Sequence, residues 1–256
     1  MRRSLSVLIV VSGLAAIGCG RKGRESASVT APAPAAKAPA EKRQEVVLLT
    51  GFEPFGRRTV NSSWEGVKAW DGKTVAGLKV VALRLPVVWQ KAADMVDRAV
   101  ADHRPVAVAC FGQGHIGHCK VEKVGRNVRR GDVRDNERKL TPSPEVVAGA
   151  PAEYLSPEPA GEIVAAIRAA GIDAAASSDA GRYICNEVLY RLERLRRTGP
   201  NPPVAAVFVH LPPEGTRLAS GPTFDRAAAA RSVEAVAAFL AGRVRTVRAA
   251  GAAANR

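Results

Sequence analysis

Cysteine is scarce in this sequence: four in 256 residues, at positions 19, 110, 119 and 185. That is too few, and too unevenly spaced, for the disulfide scaffold that staples small secreted domains. Each cysteine therefore needs its own explanation. No apolar run reaches the roughly 20 residues of a helical membrane span, and no internal repeat is visible, which argues against a solenoid or propeller. Histidine is equally sparse, with four. His115, His118 and Cys119 lie close together and are good zinc donors, but no second cluster completes a site and the spacing fits no familiar zinc signature. No metal and no cofactor are expected.

Acidic residues are also outnumbered, 24 against 38 Lys and Arg, for a formal charge of +14. Such an excess invites a nucleic-acid reading, because cations neutralise phosphates and release counterions. The distribution speaks against it. Residues 1–43 carry eight basic and two acidic residues, so much of the excess lies outside any folded face. The rest is dispersed, as in Arg191-Leu192-Glu193-Arg194-Leu195-Arg196-Arg197, a solvated helix surface. A bland basic surface facing anionic lipid fits better than a nucleic-acid partner.

The N-terminal segment has the layout of a secretory signal: Arg2-Arg3, an apolar run over 5–17, then Ala15-Ala16-Ile17-Gly18-Cys19. The small residues before Cys19 resemble the lipobox of bacterial lipoproteins, in which the cysteine becomes the acylated first residue. The expectation is a signal peptide over 1–18 and a lipidated Cys19. A disordered Ala, Pro, Lys, Ser and Glu linker to residue 43 follows, too polar to repay the entropy of ordering. Gly20 stands where a retention signal would carry aspartate, which favours the outer membrane, facing the periplasm.

Residues 44–256 read as one globular domain, within the usual size range. Apolar, β-rich runs over 45–50, 78–85, 106–111, 120–128, 172–178 and 204–210 alternate with helical patterns over 62–70, 89–103, 158–170, 186–197 and 224–250. Such alternation argues a three-layer α/β sandwich with a central, largely parallel twisted sheet flanked by helices. The Pro-, Gly- and charge-rich stretch 129–157 is the main irregular segment, a candidate lid. Ligands of open α/β sheets bind beyond the carboxyl ends of the strands, and four suggestive segments follow strands. They are Gly51-Phe52-Glu53-Pro54-Phe55-Gly56, Gly112-Gln113-Gly114, Asp179 to Asn186, and His210-Leu211-Pro212-Pro213.

Cys185 stands where a turn passes into a helix whose Val188, Leu189, Leu192 and Leu195 fall at helical spacing. The positive end of the helix dipole favours a thiolate, and free N–H groups there suit an oxyanion. Alone, this cysteine is as readily a small buried hydrophobe, His210 a satisfied strand-end histidine, and Glu122 an exposed charge on an alternating strand. Together they supply a nucleophile, a base, and an acid to fix the imidazole's tautomer. Cys110, in an apolar strand, reads as plain core.

The ordered motifs Gly51 to Gly56, Asn61-Ser62-Ser63-Trp64, Gly112-Gln113, Glu122 leading to Asn127 and Asp135-Asn136, Ala180 to Asn186, and Phe208-Val209-His210-Leu211-Pro212 resemble those of the pyroglutamyl peptidase I family, over about 46–248. The resemblance implies hydrolysis of an N-terminal pyroglutamyl residue through a Cys185-His210-Glu122 triad and a thioacyl-enzyme. It assigns ring recognition to Phe52, Phe55, Asn61 and Gln113, with Tyr183 and Ile184 beside the nucleophile, and suggests a homo-oligomer. An uncharged lactam wants an apolar, flat pocket with few polar groups.

Two stretches depart from that family's pattern. Residues 114–120 replace a Gly-Gly-Arg stretch, and Arg130-Gly131-Asp132-Val133-Arg134 replaces Asp-Ala-Arg-Ile-Pro, displacing an arginine for which Arg134 or Arg182 could substitute. These changes leave two alternatives open beside pyroglutamyl hydrolysis. One is the same triad acting on another small N-terminal or cyclic amide; the other is a lipoprotein that binds pyroglutamyl peptides without cleaving them.

Overall fold

The computed structural model describes residues 44–114 and 117–254. The proposed signal peptide, Cys19 and the linker lie outside the described residues, as does His115. In chain order the elements are β1 (Val46–Phe52), α1 (Ser62–Lys68), β2 (Thr74–Val75), β3 (Leu78–Leu85), α2 (Lys91–His103), β4 (Ala107–Gln113) and β5 (Cys119–Glu122). Then follow β6 (Val124–Arg126), β7 (Glu153–Leu155), α3 (Ala160–Ala169), β8 (Ala174–Ser177), α4 (Ile184–Thr198), β9 (Ala205–Leu211) and α5 (Arg226–Ala254).

Seven strands form one sheet in the order β2-β3-β1-β4-β9-β5-β8. The β1/β3, β1/β4, β4/β9 and β5/β8 pairs are parallel; β2/β3 and β5/β9 are antiparallel. The sheet is thus mixed but mostly parallel. Its central strands are buried almost throughout because alternate side chains enter two different cores, as expected where helices cover both faces. Val47, Leu49, Ala109, Phe111, Val207 and Val209 face Val67 of α1, Ile163 and Ile167 of α3, and Val233, Val236 and Leu240 of α5. Leu48, Val108, Cys110, Ala206 and Phe208 face Val96 and Val100 of α2 and Val188, Leu189 and Leu192 of α4. Burying each such large aliphatic side chain contributes about 1.5–3 kcal/mol.

The expected strand over 120–128 is two strands. The chain breaks at exposed Lys123, whose N–H donates to Ser177 O and whose carbonyl accepts from Ser156 N–H. Beyond it β6 leaves the main sheet and pairs antiparallel with β7. The break leaves Glu122 at the very end of β5. The stretch 129–157 is neither structureless nor free. It contains β7, and Arg129, with its side chain 2% exposed, pairs with Glu187 of α4 at 2.7 Å. Asn127 holds Val147 N–H and the carbonyls of Val147 and Ala150, while Asp135 accepts from Trp89 N–H and Lys139 N–H. These bonds tie it to α4, to Asn127 and to the segment before α2.

Candidate active site

Helix α4 starts two residues earlier than the sequence pattern suggests. Tyr183 is its N-cap, in extended conformation and without a side-chain cap bond, and Cys185 is the second helical residue. The first intrahelical bond runs from Glu187 N–H to Tyr183 O. The N–H groups of Ile184, Cys185 and Asn186 therefore precede the helical ladder at the dipole's positive end. Asn186 fixes this helix start: its Oδ1 accepts from Arg126 N–H at 2.9 Å, and its Nδ2 donates to Arg126 O and Val128 O at 2.8 and 3.0 Å.

His210 lies in β9, directly across the antiparallel ladder from Lys120. Its Nδ1 is 2.9 Å from Oε1 of Glu122, a carboxylate 1% exposed. With Nδ1–H donated to Glu122, Nε2 is left for the thiol. Burial opposes protonation of His210, but the charge of Cys185 and a hydrogen bond to it, with the hydrogen bond and charge of Glu122, outweigh burial and raise the imidazole from 6.5 to about 9.

Gly112 makes room for this arrangement. A Cβ there would stand 3.0 Å from Cys185 Sγ, 3.0 Å from Phe208 Cζ and 3.1 Å from His210 Cδ2. Gly51 is similarly required, since a Cβ would meet the Ser63 backbone at 2.6 Å; this close approach seats the start of α1 against β1. Asn61 caps α1 by accepting from Ser63 N–H and Oγ–H, and its Nδ2 donates to Glu53 O. Ser63 Oγ in turn accepts from Phe52 N–H. Glu53 Oε1 accepts from Val87 N–H and Asn136 Nδ2. The loop carrying Phe52 and Phe55 is held from three directions.

A cavity of about 340 Å³ opens over these residues and is lined by all nine non-lipid site residues singled out in the sequence: Cys185, His210, Glu122, Phe52, Phe55, Asn61, Gln113, Tyr183 and Ile184. Its size is at the lower end of small-molecule sites. Phe52, Phe55, Val87, Tyr183 and Ile184 form its apolar side, and the ring of Tyr183 stacks edge-on against Trp89 at 4.9 Å. Gln113 Oε1 accepts from Ser62 N–H and Oγ–H, whereas its Nε2 is buried without a partner among the described residues. That atom is a donor waiting for an acceptor.

Sequence reasoning passed over Val87, Lys120 and Arg130 as cavity-lining residues. Val87 could have been found, because it follows Leu85-Pro86 at the carboxyl end of β3. Of the two arginines offered as replacements, Arg182 lines the cavity and Arg134 does not; Arg134 bonds Arg138 O, and its own carbonyl accepts from Tyr183 OH. His118 lines the cavity, while Cys119 is fully buried with Sγ 3.8 Å from Ser232 Oγ. Burial pushes the thiols of both Cys110 and Cys119 up to about 12, so neither competes as a nucleophile.

A partly exposed thiol at a helix start, a strand-end histidine and a buried carboxylate, on the carboxyl edge of a mostly parallel sheet, define an α/β cysteine hydrolase. The comparisons with known proteins give the family. The pyroglutamyl peptidase family model matches residues 45–241, and this chain belongs to that family. It is 38% identical over 174 residues to the pyrrolidone-carboxylate peptidase of Bacillus licheniformis, covering 66% of this chain and 80% of the relative. It is 42% identical over 169 residues to that of Chromobacterium violaceum, covering 66% and 78%. Among solved structures, pyroglutamyl peptidase I of Bacillus amyloliquefaciens superposes with a TM-score of 0.70 at 31% identity, covering 77% of this chain and 97% of that one.

Proposed function

We propose that this chain is a cysteine peptidase that removes an N-terminal pyroglutamyl residue from peptides, with Cys185 as nucleophile, His210 as acid and base, and Glu122 orienting the imidazole. The reading is supported by family membership and carried by one observation: the 2.9 Å His210–Glu122 bond at the floor of a cavity that also holds Cys185. The His210 imidazole, raised to about 9 by Cys185 and Glu122 against the opposing effect of burial, carries a proton at neutral pH.

The Cys185 sulfur attacks the pyroglutamyl carbonyl carbon, and the developing oxyanion is met by the free N–H groups at the head of α4. His210 gives its proton to the departing amine as the C–N bond breaks, leaving a thioester on Cys185. Water, losing a proton to His210, then attacks that thioester; free pyroglutamate leaves and the thiolate–imidazolium pair is restored. Phe52, Phe55, Tyr183 and Ile184 offer the lactam an apolar slot, and Gln113 Nε2 is the donor suited to its carbonyl oxygen. Asn61 shapes the slot by fixing the Phe52 loop.

The test uses the full-length chain under reductant and follows fluorophore release from a pyroglutamyl amide. Turnover by the wild type and none by Cys185→Ser is the expected result. A folded, reduced and inert wild type would overturn the assignment.

The same proposal includes a lipid anchor on Cys19, with the catalytic body tethered by the linker to the outer membrane on its periplasmic side, and self-association into a homo-oligomer. The anchor rests on the basic, apolar and small-residue order of residues 2–19. Among the described residues no helix is long and apolar enough to cross a membrane. Cys19→Ser is expected to move the protein from the detergent phase to the aqueous phase; unchanged partitioning would remove the anchor from the proposal. Sedimentation of the detergent-solubilised protein measures the assembly.

A further inference from the structure

A pyroglutamyl ring carries no charge, yet the cavity that holds Cys185 is bordered by Lys120, Arg130 and Arg182. Arg130 is already engaged, with Nε and one terminal nitrogen on the two carboxylate oxygens of Asp132 at 2.7 and 3.0 Å. Lys120 and Arg182 have no carboxylate partner among the described residues. Lys120 sits directly opposite His210 in the β5/β9 ladder, so the two side chains leave the same face of the sheet. Glu122, two residues further along β5, shares that face and is already bound to His210. Arg182 is exposed on the turn three residues before Cys185. The only other carboxylate lining the cavity among the described residues, Asp179, accepts from Gly181 N–H at 3.0 Å.

Two cations without a carboxylate partner among the described residues thus border the cavity that holds the reacting groups. The ring cannot use them; the only part of a substrate able to carry negative charge is the peptide beyond the scissile bond. We propose that Lys120 and Arg182 make this site selective for substrates with a carboxylate immediately behind the pyroglutamyl residue. This rests on the pyroglutamyl-peptidase reading above. The carboxylate has two sources, an acidic side chain on the second residue or the free C-terminus of a dipeptide.

Four peptides separate the cases: pyroglutamyl-Glu-Ala-amide, pyroglutamyl-Gln-Ala-amide, pyroglutamyl-Lys-Ala-amide and the free acid pyroglutamyl-Gln. The full-length wild type is expected to favour one or both carboxylate-bearing peptides over the Gln amide by about tenfold in kcat/KM. The Lys amide should be poorest, and the preference should shrink with added salt. Preference for the Glu amide alone assigns a side-chain carboxylate, and for the free acid alone a C-terminal one. In Lys120→Gln/Arg182→Gln the ratio is expected to fall to near unity. Because it compares substrates on one preparation, partial loss of folded protein cancels. Equal rates on all four peptides, or a preference that survives in the double variant, would overturn the charge selectivity while leaving the peptidase reading intact. No turnover of any peptide would overturn both.

Discussion

The sulfur of Cys185 lies 3.0 Å from the point a Cβ on Gly112 would occupy, and Cδ2 of His210 lies 3.1 Å from that same point. The glycine of β4 therefore sets the gap in which thiol and imidazole meet. Gly112→Ala must push one of the two aside, since Phe208 closes the third direction. The neighbours must give by a few tenths of an ångström, where a misplacement of about 1 Å costs roughly 100-fold in rate. We expect kcat to fall by about 10-fold or more with a near-native circular dichroism spectrum. Turnover within a few-fold of wild type would show that the pair has slack.

Glu122 helps Cys185 to hold the proton on His210 against the effect of burial. The imidazole's pKa is raised from 6.5 to about 9, so it is protonated across neutrality and loses its proton only as the pH climbs through about 9. Catalysis needs that proton for the leaving amine, which places the alkaline limb of the kcat/KM profile near 9. Glu122→Gln removes the negative charge and the fixed acceptor for Nδ1–H. The alkaline limb should move to lower pH, and kcat should fall by about 10³–10⁴. A pH–rate profile of the variant that keeps its alkaline limb would separate Glu122 from the imidazole's titration.

The Arg129–Glu187 pair ties the 129–157 stretch to the helix that bears the nucleophile, with side chains 2% and 1% exposed. Removing one partner leaves a buried, unpaired charge. Arg129→Met is expected to lower the unfolding free energy by about 3–5 kcal/mol in urea titrations. Arg129→Met with Glu187→Leu should regain most of it, because two apolar side chains leave no stranded charge. A double variant as unstable as the single one would place the stabilisation in Arg129's bonds to the carbonyls of Glu145 and Val146 instead.

That ion pair also marks where sequence reading stops. The alternation of β-rich and helical runs makes the layered α/β fold legible, and the 78–85 strand matches β3 to the residue. Each central strand feeds both cores, so its apolar run is continuous and unmistakable. The break at Lys123 leaves only a faint trace, the consecutive polar pair Glu122-Lys123 that shifts the alternation by one residue. What divides the strand is the capture of its backbone by Ser177 and Ser156, both distant in sequence. Likewise the composition of 129–157 suggests a lid, since nothing local reveals that Arg129 finds Glu187 58 residues away. The site residues were legible as motifs at strand ends. Of the two cations only Arg182 was legible, because a lone Lys120 on an alternating strand looks like any solvated charge until β9 places it opposite His210.

Phe52 and Phe55 separate ring binding from core packing. Phe52 is 3% exposed and belongs to the core beneath α2 and α4, so truncating it would cost about 3–5 kcal/mol of stability and blur any kinetic reading. Phe55 is only partly buried against the same core while lining the cavity. Phe55→Ala should thus spare the fold and remove apolar contact with the lactam, a loss of about 1.5–3 kcal/mol, or roughly 10- to 100-fold in affinity. A contact made equally in ground and transition states raises KM and leaves kcat nearly unchanged. Steady-state kinetics on a pyroglutamyl amide decide the matter: a raised KM with preserved kcat assigns Phe55 to the ring slot, and unchanged constants would leave it as a packing residue of the loop.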